Sequence, residues 1–134
     1  IIAVQLCGLP DELQQDPLIA VQLREWPDEI QQDPLIAVQL RGLPDEHRQA
    51  VLADCAAVSA FIKQVLGFSK VNFAGLGNVV PAMHLHIIGR HSQDPCWPQP
   101  VWGNLPSGEP YAPQQLLEWQ AGLVRMIGLV AAPL

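Results

Sequence analysis

The residues of this chain best suited to chemistry are two histidines in the run Pro81-Ala82-Met83-His84-Leu85-His86-Ile87-Ile88. Alternation along a strand sends His84 and His86 to one face and Met83, Leu85 and Ile87 to the other, so two imidazoles stand side by side. Three chemistries fit such a pair. The plainest is two hydrogen-bonded histidines on a polar sheet face. A second is a zinc set completed by His91, Cys96 or Cys55, although no zinc-finger spacing accompanies it. The third is nucleophilic attack on phosphorus by a neutral imidazole whose other ring nitrogen is bonded to fix the tautomer. The residues just upstream favour the third. Asn72 lies on the preceding strand, and the loop Gly75-Leu76-Gly77-Asn78 turns the chain toward the histidines. Glycines let backbone amides approach an anion closely, and Asn78 adds a side-chain donor. Glycines in a hairpin loop also have an ordinary structural reason.

Positioning this pair falls to a small set of elements. A helix is expected over 44–66, where Val51, Leu52, Cys55, Val58, Phe61, Ile62, Val65 and Leu66 recur at three- and four-residue spacing and Gly67 supplies a stop. That periodicity reads Cys55 as a core residue rather than a reactive thiol. Strands over 70–74 and 82–88, joined by the short glycine loop, read as an antiparallel hairpin. An irregular stretch rich in Pro and Trp follows over 89–113. Leu116, Trp119, Leu123, Ile127 and Val130 then describe an amphipathic C-terminal helix that Gly122 and Gly128 weaken. The expected class is α+β: an antiparallel sheet with one long helix and one C-terminal helix.

The N-terminal third is an internal repeat of period 17. IIAVQLCGLPDELQQDP, LIAVQLREWPDEIQQDP and LIAVQLRGLPDEHRQAV follow one another without gaps from residue 1 to 51, and the first two agree at 12 of 17 positions. Each copy reads as a short strand, a turn, and a helix start marked by Pro and then Asp-Glu, where the helix dipole favours acids. Asp16-Pro17 and Asp33-Pro34 stop that helix in the first two copies, so only the third copy grows one. Three copies barely suffice for a solenoid. Trp26 has no counterpart in the other copies, and no role follows for it.

Composition narrows the partners. The 134 residues make one domain large enough for a real core, at 49% apolar and 15% charged. Three widely spaced cysteines are not a disulfide framework, which points to a reducing compartment and a cytoplasmic location. No apolar run is long enough to span a bilayer. Of the net charge of −6, residues 1–50 carry all of it, with nine acids against three bases. Such an acidic third repels a nucleic-acid backbone, whereas a small phosphate ligand held by backbone amides remains open.

The stretch from Val71 to Arg90, VNFAGLGNVVPAMHLHIIGR, followed by DPCWPQPVWG from Asp94 to Gly103, closely resembles the histidine triad (HIT) family. It is most similar to the bacterial subgroup whose triad begins with Gln and whose later segment reads Trp-Pro-x-Pro-Val-Trp-Gly. The resemblance covers roughly residues 41 to 120. It implies a HIT-like α+β fold around an antiparallel sheet, a homodimer, and a small-molecule nucleotide substrate hydrolysed or transferred through a nucleotidyl-histidine; no cofactor or metal is implied. The motif His-φ-His-φ-His-φ-φ falls on Ala82 to Ile88. His84 thereby takes the nucleophile's place, and His86 a place near the phosphate or bridging oxygen. Asn72, Gly77 and Asn78 take the phosphate-binding places. Ala82 departs from the first triad position, and repeats stand where the family has several strands before the long helix. The resemblance therefore divides the chain into a repeat segment, 1–40, and a HIT-like domain, 41–134, incomplete on its N-terminal side. The alternative to an enzyme is a catalytically inactive HIT-like binding or scaffold module. Trp97 and Trp102 are expected to pack under the sheet or at a subunit contact, while Arg90 and His91 face either phosphate or solvent.

Overall fold

Helix α1 spans Asp45–Gln64, 20 residues, in a computed structural model that describes residues 2–6, 19–20, 40–76, 84–106 and 111–128. Its start follows the sequence: Pro44 occupies the N-cap with φ −51 and ψ 148, and Asp45 and Glu46 fill the first turn, where acids meet the positive end of the dipole. Arg48 pairs with Asp45 one turn on. Cys55, Val58, Phe61 and Ile62 form the buried stripe. The helix closes where the Val65 and Leu66 amides both donate to the Phe61 carbonyl (2.9 and 3.2 Å). Gly67, at φ 76, then reverses the chain, a conformation that costs glycine little.

The C-terminal helix α2, Pro113–Ile127, begins with a proline whose missing N–H would be unpaired there anyway. It ends at Gly128, which is left-handed and donates its N–H to the Val124 carbonyl at 3.0 Å. Gly122 has a packing reason that the periodicity does not reveal. A Cβ at that position would stand 3.0 Å from two ring atoms of Phe61, so the glycine lets α2 lie close against α1. Val130 lies outside the described residues.

Four strands make one sheet: β1 (Ile2–Leu6), β2 (Ile19–Ala20), β3 (Lys70–Leu76) and β4 (His84–Arg90), in the order β2-β1-β4-β3. The hairpin of β3 and β4 is antiparallel, with a register running from Lys70 opposite Arg90 to Leu76 opposite His84. Two expectations change here. Gly75 and Leu76 belong to the ladder rather than to the loop, because their pairing with Leu85 and His84 carries β3 past residue 74. At its other end β4 runs on through Gly89 and Arg90. Residues 77–83, with Gly77, Asn78 and Ala82 among them, lie outside the described residues.

The first repeat copy supplies β1, which lies antiparallel against β4 along its whole length, from Ile2 opposite Gly89 to Leu6 opposite Leu85. The second copy supplies β2, which pairs parallel to β1. The sheet is therefore antiparallel except at that edge, where residues 7–18 provide the length a parallel connection needs. The odd-numbered face of β4 meets the helices: Leu85 and Ile87 are buried with Val58, Phe61 and Ile62 of α1 and Leu123 of α2.

Candidate functional site

The even-numbered face of β4 carries His84, His86, Ile88 and Arg90 by strand alternation. On β3 their direct opposites are Leu76, Ala74 and Asn72 for the first three, with Lys70 opposite Arg90. On β1, Gln5 stands opposite His86 and Ala3 opposite Ile88. Asn72 and His86 thus share one face, with Asn72 two residues along the ladder from His86's level. His86 is half-buried, and the Trp102 ring meets its imidazole edge-on at 5.7 Å between centroids.

Arg90 is the organiser of this face that the sequence does not disclose. It faces neither phosphate nor solvent: only 1% of its surface is exposed. Its Nε donates to Asp94 Oδ2 (2.7 Å), its Nη1 to Asn72 Oδ1 (2.8 Å), and its Nη2 to the Gln99 carbonyl (2.9 Å) and Cys96 Sγ (3.6 Å). The Trp97 ring lies 5.6 Å from the guanidinium carbon. A rigid fork of donors suits this many fixed acceptors, and Asp94, whose side chain is 5% exposed, balances the charge. Because Asn72 Oδ1 accepts from Arg90, the amide is oriented with its NH2 as the remaining polar group.

The segment after β4 folds back over this face. Trp97 and Gln99 contact Arg90, and Trp102, further along, reaches His86. Its turns are tied locally. Asp94 accepts the His91 amide (3.0 Å) and the Asn104 side chain donates to the Pro100 and Trp102 carbonyls (3.0 and 3.2 Å). The Trp97–Pro98 peptide bond is cis. Both tryptophans lie on the histidine face of the sheet and each stays partly open, 40% for Trp97 and 37% for Trp102. His91 takes the opposite face and stacks on Phe68 at 4.5 Å. Parity with the histidines and the spacing to Asp94 are the signals that could have found Arg90; neither tells a buried arginine from an exposed one.

Two further groups feel their surroundings. Burial, with the Asp54 charge adding, pushes the Cys55 thiol up to about 11, in keeping with a core cysteine. Burial, with Asp94 adding, raises the Tyr111 hydroxyl. Among the described residues no group of three His, Cys, Asp or Glu could hold a metal ion, and no helix is long and apolar enough to cross a membrane.

The fold is similar to those of solved histidine triad proteins. One from Bradyrhizobium japonicum superposes with a TM-score of 0.62 at 32% identity, over 68% of this chain and 67% of that one. One from Marinobacter aquaeolei VT8 gives 0.60 at 38%, over 68% and 66%. A third, from Sinorhizobium meliloti 1021, gives 0.60 at 29%, over 67% and 66%. The chain spans about two thirds of each of these proteins. It belongs to the histidine triad family. No protein-family model matches the chain, and no curated protein does either.

Proposed function

We propose that this protein is a nucleotide-phosphate hydrolase or nucleotidyltransferase that works through a nucleotidyl-histidine. His84 Nε2 attacks the α-phosphorus, a P–N bond forms, and the leaving group departs with its electron pair and takes up a proton. Water, or an acceptor in transfer, then attacks the same phosphorus, and the P–N electron pair returns to the imidazole. His86 lies at the bridging oxygen or phosphate, and Asn72, Gly77 and Asn78 donate to phosphoryl oxygens as their charge builds, where fixed donors stabilise most.

The observation that carries this reading is the register of β4, which sets His84 and His86 two residues apart opposite Leu76 and Ala74, in a chain of the histidine triad family. Asn72 on the same face supports it. The working unit in this reading is a cytoplasmic homodimer acting on a small nucleotide, not on nucleic acid. Repeats over 1–40 stand in for the family's N-terminal strands ahead of a domain over 41–134.

A second reading, an inactive nucleotide-binding or scaffold module, is favoured by Ala82, which brings no hydrogen-bonding side chain to the first triad position. Incubation with an adenosine phosphoramidate and with a dinucleoside polyphosphate separates the two. The enzyme reading expects release of the nucleoside monophosphate, abolished by His84→Ala and lowered by about 10²–10⁴-fold by His86→Ala. Turnover that survives His84→Ala unchanged rules it out, and calorimetric binding of a nucleoside monophosphate without turnover supports the inactive module.

A further inference from the structure

His86 has two cross-strand neighbours. On β3 it is Ala74, which carries no polar side-chain atom, and on β1 it is Gln5. Directly opposed residues of an antiparallel pair have Cβ atoms roughly 4.5–5.5 Å apart, so Gln5 is the cross-strand neighbour of His86 with hydrogen-bonding chemistry. A carboxamide both donates and accepts. An imidazole that works at phosphorus needs its tautomer set by a bond to the second nitrogen. The Trp102 ring also meets the His86 imidazole edge-on.

The repeat puts the same residue type at two further places, which serve as controls. Ile-Ala-Val-Gln-Leu occurs without change at 2–6, 19–23 and 36–40, so each copy carries a glutamine at the same point, Gln5, Gln22 and Gln39. Among the described residues it is the first copy whose glutamine lies against β4, while the described part of the second copy pairs with β1, Ala20 opposite Gln5.

We propose that Gln5 is a positioning residue of the site, delivered by the first repeat copy to the place opposite His86. The proposal rests on the reading of His86 as a group at the transferred phosphate. It gives the first repeat a part in the site in addition to its part in the sheet.

The test uses the full chain with Gln5→Leu, Gln22→Leu and the conservative Gln5→Glu, reading the ring-nitrogen NMR shifts of His86, assigned with His86→Ala, beside kcat and KM for the phosphoramidate. Gln5→Leu is expected to shift the His86 ring nitrogens toward a mixture of tautomers and to lower kcat by up to about 10²-fold with KM little changed. Gln22→Leu is expected to leave both at wild-type values, and Gln5→Glu to restore a single tautomer. Unchanged ring-nitrogen shifts in Gln5→Leu, or equal changes in Gln22→Leu, overturn the proposal. Gln5→Thr, which suits a strand but is too short for the role, gives the same readout should the leucine variant fold poorly. If the wild type shows no turnover, the enzyme reading fails separately, and the nitrogen shifts still decide the place of Gln5.

Discussion

Arg90 shows how one buried charge can organise a surface. Its guanidinium gathers a side chain from β3, a carboxylate and a carbonyl from the covering segment, and a tryptophan ring. Removing one partner of such a pair leaves the other charge buried and uncompensated. Arg90→Met is expected to cost about 3–5 kcal/mol in denaturant unfolding, with much of that loss recovered in Arg90→Met combined with Asp94→Leu; equal stability of Arg90→Met and wild type contradicts the account. Cys55 gives a second prediction at this scale. Its folded pKa lies above the ordinary 9.0, at about 11. Between those values the unfolded chain sheds a proton that the folded chain keeps, so stability falls as pH rises through that window. Denaturation of wild type and Cys55→Ala across it reads the difference, and the variant should lack that part of the fall. At the residue scale the sequence discloses the face of each group through parity. It does not disclose Arg90's burial, because two of its acceptors, Asn72 and the Gln99 carbonyl, become neighbours only after the hairpin and the covering segment have folded.

Both helices and the hairpin were legible because their signals are local: a stripe of apolar residues, Pro at the start, Gly at the end, and alternation in the strands. Gly89 is the exception within β4. A Cβ there would stand 2.7 Å from Phe68 Cγ and 2.8 Å from Ile62 Cγ2, so the strand reaches α1 and Phe68 only as glycine. Gly89→Ala is expected to destabilise by about 1–3 kcal/mol through overpacking, although alanine is the better residue for an ordered backbone; a thermal melt at or above wild type contradicts this. The place of β1 was not legible. Three identical pentapeptides offer the same apolar alternation, and nothing local tells which of them pairs with β4 or in which direction. Residues 2–6 and 19–20 contribute two strands to the common sheet.

At the scale of the whole molecule, the chain carries a net charge of −6. An anionic nucleotide approaches against this field, and salt screens it over roughly 10 Å at 0.1 M. KM for a nucleotide substrate is therefore expected to fall as potassium chloride is added from low ionic strength; a KM that rises steeply with salt contradicts the charge argument. The central claim is that phosphorus becomes bonded to His84. It is tested most directly by mixing the protein with an adenosine phosphoramidate, quenching in alkali, where a phosphoramidate bond survives, and measuring intact and peptide masses. The account predicts one adenylyl group per chain, mapped to His84, present in wild type and absent from His84→Ala. Turnover with no adduct on His84, or an adduct that persists in His84→Ala, would contradict it.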